Sequence, residues 1–288
     1  MVGSHLMLRL LENDKKVRAI YRTEAGRDKV KNLFDGYGKI SLYDQIEWVL
    51  ADITDVPSLE PVFDTVDEVY HCAAYISFDP NDETVLRKTN IEGTANIVNH
   101  CLAHNVKKLC YVSSIAALGD LKEFEHTTTE ATEWNPEVAH SDYAISKYGA
   151  EMEIWRGQQE GLWVVIVNPG VILGPGFWDS GSGLLFTQVA NGLLFYTRGS
   201  SGFVYVDDVI ESMIRSMKNT ENGERFIVVA DNISYEKVLQ WIATSLNVKV
   251  PSLCASRWMT GLYWRFDWAL SLFGKKRTLS RLMARSLH

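Results

Sequence analysis

The sequence lacks an excess of basic residues and any long apolar run. It contains 29 Lys and Arg against 36 Asp and Glu, which gives a net charge of −7. Because nucleic-acid phosphates are bound through basic patches, we do not expect nucleic acid to be the main partner. No apolar stretch is long enough to span a membrane, and the first residues lack the apolar core of a secretory signal. We therefore expect a cytoplasmic protein with no membrane span.

Cysteine is scarce, and internal repeats, low-complexity segments and clear linkers are absent. The four cysteines have no metal-type spacing, so we expect buried, reduced thiols and no metal site; they are Cys72, Cys101, Cys110 and Cys254. The 288 residues are 46% hydrophobic and 23% charged. That length fits one large α/β domain, or a nucleotide-binding domain with a smaller cap.

Residues 141–151 contain the most informative pattern. In a helix, Tyr143 and Lys147 are four positions apart, and their side chains leave the same face. A free phenol has a pKa of about 10. A nearby ammonium group favours the phenolate and lowers that pKa, which would make Tyr143 a usable proton donor or acceptor. Taken alone, such a pair more often marks a solvated helix face.

Two apolar segments flank this stretch, and each ends in residues suited to a ligand. Residues 109–112 are followed by Ser113 and Ser114, and residues 162–167 are followed by a loop containing Pro169 and Gly170. Both segments are typical of buried parallel strands, and ligands bind at the carboxyl ends of such strands in open α/β sheets.

The serine, the Tyr-x-x-x-Lys pair and the Pro-Gly loop, in this order, resemble the extended short-chain dehydrogenase/reductases, also called the NAD-dependent epimerase/dehydratase family. The resemblance implies an α/β fold with a Rossmann-type, doubly wound parallel sheet. Residues 1–170 would form the dinucleotide-binding domain. Residues 171–288 would form mainly a smaller, mostly helical substrate cap, interleaved with late strands of the first domain. The aromatic-rich tail around Trp258, Tyr263 and Trp268 would line an apolar pocket.

The resemblance also implies the catalytic residues. Ser114 and Tyr143 would bind the carbonyl oxygen of a substrate, and Tyr143 would deliver the proton. Lys147 would lower the pKa of Tyr143 and hold the nicotinamide ribose. His71 lies within a strand and is predicted to be a packed core histidine rather than a base.

Cofactor contacts follow from the same family pattern. Asp52 and Ile53 would contact adenine, and Asn90 would contact or order the nicotinamide half. The remaining predicted contacts are small or loop residues at strand ends and at the first helix: Val2, Gly3, Cys72, Ala73, Ala74, Pro169, Gly170, Val171 and Ile172, together with Tyr143 and Lys147.

The beginning of the sequence departs from the family. Gly3 matches the last glycine of a Gly-x-x-Gly-x-x-Gly loop, but the first two glycines and the strand before them are absent. That strand lies at the centre of such sheets, so we expect the sequence to omit residues near its start. A genuine truncation is the alternative, and it would impair cofactor binding.

The end of the second strand predicts the coenzyme. An acidic residue there binds the ribose hydroxyls of NAD, whereas an arginine accommodates the 2′-phosphate of NADP. Residues 16–22 end in Arg22 and contain no acid. The sequence therefore favours NADP(H) over NAD(H).

The function predicted from these features is reduction of a ketone or aldehyde on a small, largely apolar substrate. The resemblance points to the dihydroflavonol reductase and 3β-hydroxysteroid dehydrogenase branch, because Ser201 stands where sugar-nucleotide enzymes carry a diphosphate-binding arginine. A nucleotide-sugar epimerase or dehydratase, or a non-catalytic NADP-binding regulator, remains the alternative. A homodimer is compatible with the resemblance.

Overall fold

The computed structural model describes residues 1–259, 261, 262, 264 and 265. Its helices are α1 Val2–Glu12, α2 Glu24–Gly36, α3 Ile40–Tyr43, α4 Val56–Leu59, α5 Glu83–Leu86, α6 Gly93–Ala103, α7 Asp142–Gln159, α8 Gly183–Ala190, α9 Val206–Asn219 and α10 Tyr235–Ser245. Its strands are β1 Arg18–Tyr21, β2 Glu47–Leu50, β3 Glu68–His71, β4 Lys108–Val112, β5 Val164–Pro169, β6 Val171–Leu173, β7 Phe195–Tyr196, β8 Ser200–Tyr205, β9 Glu224–Val228, β10 Asp231–Ser234 and β11 Leu253–Cys254. Short 3₁₀ turns at Glu60–Val62, Pro80–Asp82 and Ile115–Ala117, and a π-helical segment at Arg87–Glu92, complete the elements.

A four-stranded parallel sheet in the order β3-β4-β5-β9 forms the centre of the molecule. Strands β1 and β2 form a second parallel pair. In the part of the chain that the structure describes, strand pairing is interrupted between β1 and β3. The sequence led us to expect an interruption at this place.

Helices cover both faces of the central sheet, which explains the apolar character of its strands. Leu109 and Tyr111 of β4 pack in the core beneath α6 and α7. Cys110 and Val112 alternate with them and pack on the opposite face, beneath α1 and α9. The parallel sheet with flanking helices confirms the fold class expected from the sequence.

The chain beyond β5 divides its residues between the main sheet and a smaller unit. Strand β9 pairs with β5, and α9 packs on the main sheet. Helices α8 and α10 pack together on strand β8 around a separate apolar cluster. The smaller unit also contains the sheets β10-β8-β6 and β11-β7, so its described part is mixed rather than purely helical. The predicted pocket residues Tyr263 and Trp268 lie outside the described residues.

None of the helices in the described ranges combines the length and the apolar character needed to cross a membrane.

Helix α7 approaches the preceding helical segment closely because two of its residues are glycines. A Cβ atom on Gly157 would lie 2.7 Å from a methyl carbon of Val98, and one on Gly149 would lie 2.6 Å from Ile91. Val98 is fully buried, so it cannot move aside without disturbing the core.

We expect Gly157→Ala to lower the free energy of unfolding by about 1–3 kcal/mol, because it overpacks the contact with Val98. The matched control is Gly36→Ala at the end of α2, where an added Cβ meets nothing within 4 Å. Urea denaturation measures both changes. Equal effects of the two substitutions would contradict the close packing of α7 on α6.

Candidate active site

The predicted site residues meet along one edge of the sheets. Arg22 follows β1, Asp52 follows β2, Cys72 follows β3, and Ser114 lies two residues beyond β4. Pro169 is the last residue of β5. These strands are parallel within each sheet, so the carboxyl ends of each sheet share one edge, at which side chains from distant parts of the sequence come together.

The first turn of α1 lies against the end of β3. A Cβ on Gly3 would be 3.4 Å from the Cβ of Cys72, so glycine permits this close approach. Ala73 and Ala74, which follow Cys72, are exposed. The structure thus brings Val2 and Gly3 next to Cys72 at the end of β3, and the predicted contacts of these residues with a cofactor stay a prediction.

Arg22 and Asp52 form an ion pair of 3.6 Å between the ends of β1 and β2. The Asp52 carboxylate also accepts hydrogen bonds of 2.9 Å from the backbone N–H and the hydroxyl of Thr54. Partial burial acts to raise the pKa of Asp52, but the hydrogen bonds and the charge of Arg22 outweigh it and lower the pKa. Ile53 turns its side chain into the core, where it faces Gly93.

Asn90 is almost fully buried and uses its amide to position neighbouring segments. Its Oδ1 accepts from the N–H of Tyr75 at 2.7 Å, and its Nδ2 donates to the Tyr75 carbonyl and to the Ser146 hydroxyl at 2.9 Å each. These bonds tie the segment after β3 to α7. Of the two roles predicted for Asn90, the contacts correspond to ordering the site.

Ser114 and Tyr143 lie close enough for the serine hydroxyl to affect the pKa of the phenol. Ser114 caps the 3₁₀ turn Ile115–Ala117, and its Oγ accepts from the N–H of Ala116 at 3.1 Å. The helix that carries Tyr143 begins at a similar cap, where Ser141 accepts from the N–H of Ala144 at 3.1 Å. Desolvation raises the pKa of Tyr143, and the hydrogen bond with Ser114 only partly opposes it.

Lys147 is 1% exposed and turns its ammonium group towards β4. It donates to the hydroxyl of Tyr111 at 2.6 Å and to the carbonyl of Val112 at 2.8 Å. Burial lowers the pKa of Lys147 to about 7, against a smaller opposing effect of Glu151. The sequence led us to expect that Lys147 lowers the pKa of Tyr143. The structure instead raises the pKa of Tyr143, because burial dominates, and the ammonium group of Lys147 bonds to Tyr111 and Val112 of β4.

Glu151 is a buried carboxylate that sequence reasoning missed. It has no solvent exposure, and it accepts hydrogen bonds from Ser113 and from Asn168 Nδ2, the latter at 2.6 Å. Burial raises its pKa, while these hydrogen bonds and the charge of Arg225 oppose the rise. The sequence did contain a signal for Glu151. Tyr143, Lys147 and Glu151 follow one another at intervals of four residues, which places them on one face of α7.

The Glu151 network reaches Ser114, the predicted catalytic serine, through Asn168. The Nδ2 group of Asn168 donates to the Ser114 carbonyl at 2.9 Å as well as to Glu151. Asn168 is fully buried, so these bonds fix the backbone that carries Ser114.

Arg225 of β9 connects Glu151 to the segment before Trp134. Its guanidinium lies 3.2 Å from Glu151 Oε2 and donates to the carbonyls of Glu130 and Thr132 at 2.8 and 3.4 Å. The Glu130 carboxylate in turn accepts from the N–H of Ile227 at 2.9 Å. The segment around residues 130–132 is thereby held on the edge of the main sheet.

The turn after β5 is built on two facing glycines. A Cβ on Gly170 would lie 2.3 Å from the carbonyl oxygen of Gly202, so no larger residue fits here without backbone movement. Val171 and Ile172 continue into β6, which pairs with β8. This arrangement puts Ser201 of β8 beside the predicted cofactor loop.

The residues present fit a dinucleotide along this edge. Exposed small residues follow β3, an arginine and an aspartate stand at the ends of β1 and β2, and a buried lysine lies one turn after Tyr143 on α7. Buried His71 does not compete for a catalytic role: its Nε2 lies 2.9 Å from Thr94 Oγ1, and burial lowers its pKa to about 3.

The depressed pKa of Lys147 predicts a pH dependence of stability in the cofactor-free protein. Unfolding restores an ordinary pKa near 10.5, so the unfolded chain binds more protons than the folded one between about pH 7 and 10.5. The free energy of unfolding should therefore rise with pH across this window, by up to about 1.4 kcal/mol per pH unit from this group. Lys147→Met should remove that part of the slope. Urea denaturation at several pH values measures it, and equal slopes for both proteins would contradict a neutral buried lysine.

Comparison with known proteins agrees with this geometry. The sequence profile of the NAD-dependent epimerase/dehydratase family matches residues 1–230. A putative dihydroflavonol 4-reductase of Synechocystis is 27% identical over 267 residues, which are 90% of this chain and 73% of the relative. The crystal structure of gox2253 superposes with a TM-score of 0.80 and 25% identity, over 99% of this chain and 84% of the other. UDP-glucose 4-epimerase from Thermotoga maritima, solved with UDP-glucose, shares the fold with a TM-score of 0.74 and 20% identity, over 88% and 82% of the two chains. The chain therefore belongs to the NAD-dependent epimerase/dehydratase family, and it is an NAD(P)-dependent oxidoreductase acting on CH–OH or C=O groups.

Proposed function

We propose that the protein is an NADPH-dependent reductase of ketones or aldehydes on small, largely apolar substrates. The observation that carries the proposal is the closeness of Ser114 and Tyr143 at the carboxyl edge of the sheet, where the serine acts on the pKa of the phenol, with buried Lys147 one turn further along α7. Two neighbouring hydroxyl groups can bind a carbonyl oxygen and stabilise the negative charge that develops on it.

The protonation states favour reduction. Because burial raises the pKa of Tyr143, its phenol keeps its proton near neutral pH. That is the form required to protonate an alkoxide as it develops. When bound, the nicotinamide coenzyme supplies the hydride. Ser114 holds the substrate oxygen, and Tyr143 transfers its proton to that oxygen.

After this transfer, Lys147 would help to return a proton to Tyr143. Its pKa of about 7 means that it gains and loses a proton readily at neutral pH. Lys147 would also bind the nicotinamide ribose, as the family pattern implies. Glu151 and Asn168 touch neither predicted reactant, and they position the backbone of Ser114 from below.

The preference for NADPH rests on Arg22. Its side chain is exposed at the end of β1, and its only acidic neighbour in the described chain at ion-pair distance is Asp52 on the next strand. The position directly after β1 is occupied by Arg22 rather than by a carboxylate that would bind the ribose hydroxyls of NAD. An arginine here matches a 2′-phosphate in charge and in hydrogen-bonding geometry.

The apolar substrate class rests on two further observations. The ring of Phe78 packs edge-on against Tyr143 at 5.8 Å, so the proton donor has an aromatic neighbour. Ser201, beside the Gly170 turn, provides no positive charge for a diphosphate. The name of the Synechocystis relative, a putative dihydroflavonol 4-reductase, agrees with an aromatic or alicyclic carbonyl substrate.

A nucleotide-sugar epimerase is the second candidate, because the fold is shared with UDP-glucose 4-epimerase. Epimerisation leaves the coenzyme in its original oxidation state after each turnover, whereas reduction consumes NADPH. Stoichiometric consumption of NADPH therefore separates the two. A non-catalytic regulator would not need the set of side chains formed by Ser114, Tyr143 and Lys147.

Tyr143→Phe should lower the rate of NADPH consumption with a carbonyl substrate by about 10²–10⁴-fold, because the proton donor is lost while the ring remains. The affinity for NADPH should stay nearly unchanged. Tyr148→Phe is the matched control, since Tyr148 lies on the same helix but stacks on Trp134 at 4.3 Å. A Tyr143→Phe enzyme with the wild-type rate would disprove the proposed role.

Arg22→Ala should weaken NADPH binding by about tenfold or more, which corresponds to the roughly 1.5–3 kcal/mol of a charged hydrogen bond. NADH binding should change little. Lys31→Ala on α2 removes an equal charge from an exposed site and serves as the control. Fluorescence titration measures the dissociation constants of NADPH and NADH for the wild type and both variants. Equal losses for both coenzymes would show that Arg22 does not contact the 2′-phosphate.

A further inference from the structure

Two histidines and a glutamate meet at the edge of the molecule opposite the candidate active site. His100 and His104 lie near the end of α6, which precedes β4, and Glu60 lies in the turn that precedes β3. The group therefore lies at the amino ends of the strands. One donor atom from each of the three side chains lies within 4.8 Å of the other two. It is the one such group of three found in the described part of the chain.

The helix spacing and the packing hold the two imidazoles in place. Residues four apart on a helix project from one face, so both rings point to the same side of α6. His100 is 6% exposed, and its ring stacks on Phe63 at 5.2 Å with an interplanar angle of 15°. His104 lies 6.0 Å from the same ring. A pair of rings fixed by packing loses little freedom when it binds a ligand.

The carboxylate of Glu60 is the third member of the group and faces both imidazoles. Its two carboxylate oxygens lie 3.8 Å from His100 Nδ1 and 3.8 Å from His104 Nε2. In a tetrahedral zinc site with bonds of 2.0–2.2 Å, neighbouring donor atoms are about 3.4 Å apart. The side chain of Glu60 is largely exposed, so a small rotation of this side chain would shorten its oxygen–nitrogen distances to the spacing of a zinc site.

Asp64 supplies an independent indication of a metal ligand. Its carboxylate lies 3.7 Å from Nδ1 of His104, on the side of the ring away from Glu60. A carboxylate behind an imidazole favours the tautomer with the proton on Nδ1 and leaves Nε2 free to bind a metal. Such outer partners commonly accompany histidine ligands in metal sites.

We propose that Glu60, His100 and His104 bind a divalent transition-metal ion of the zinc type, with Asp64 orienting His104. Two imidazoles and one carboxylate form a ligand set suited to Zn²⁺ or Co²⁺, and a fourth position stays open to water. Mg²⁺ and Ca²⁺ are disfavoured because they require oxygen ligands. The sequence led us to expect no metal, but that expectation rested on cysteine spacing alone.

A metal here would join the turn before β3 to the end of α6. The same helix carries Asn96, which donates to the Ile53 carbonyl at 2.9 Å on the predicted adenine side. The ion would therefore brace α6 without touching Ser114, Tyr143 or Lys147. Its expected effect is on stability rather than on turnover.

The test uses untagged, chelator-treated protein titrated with Zn²⁺ by calorimetry and with Co²⁺ by visible absorption. We expect one ion per chain, a Co²⁺ spectrum typical of four-coordinate nitrogen and oxygen ligation, and a melting temperature that rises with Zn²⁺. His104→Gln should weaken binding by more than the roughly 10–100-fold that loss of an outer partner costs, and Asp64→Asn by about that range. His126→Gln, at an exposed loop histidine, should bind as the wild type does.

Glu60→Gln keeps the test decisive, because Glu60 is exposed and its substitution does not disturb the core. It should weaken binding while the melting temperature of the metal-free protein stays unchanged. Absence of one-to-one binding would overturn the proposal. Wild-type affinity in both Glu60→Gln and His104→Gln would also overturn it, since the ion would then bind elsewhere, for example at a thiol.

Discussion

Two ionisable side chains of one helix, Lys147 and Glu151, lie in the interior with almost no exposure to solvent. Burying such groups without partners costs several kcal/mol each. The neighbouring strands supply those partners: Tyr111 and the Val112 carbonyl accept from the lysine, while Asn168 and Arg225 serve the carboxylate. The position of α7 on the sheet therefore depends on polar contacts as much as on apolar packing.

These contacts explain why Ser114 and Tyr143 are presented at a fixed place. Ser114 caps a short 3₁₀ turn, and Tyr143 lies in the first turn of α7, which Ser141 caps. Asn168 holds the backbone of Ser114, and Asn90 joins α7 to the segment after β3. Such buried hydrogen-bond networks restrict motion at a site whose proposed chemistry depends on the distance between two hydroxyl groups.

Much of this arrangement was predictable from local sequence. Short apolar segments that end in Ser114 and Pro169 indicate parallel strands, and the four-residue spacing of Tyr143 and Lys147 indicates a helix. The partners of Glu151 were not predictable in this way, since Arg225 lies 74 residues away and its contact depends on β9 joining β5. The direction in which the pKa of Tyr143 shifts was not predictable from the sequence either. The spacing of Tyr143 and Lys147 indicates a shared helix face but not the rotamer of the long lysine side chain. The histidine group near Glu60 was missed because its carboxylate comes from a separate turn.

The bridge from Arg225 to the Glu130 and Thr132 carbonyls has a consequence for local unfolding. If the segment around residues 130–132 detaches from β9, the guanidinium loses these acceptors and water reaches the buried carboxylate of Glu151. The free energy needed to open the segment therefore includes part of the free energy of hydrating the buried face of α7. The segment and this face of α7 should consequently open together, as one cooperative unit. Amide protons of the segment, and the Ile227 N–H of β9 that bonds to Glu130, should exchange with solvent at the slower rate of that unit.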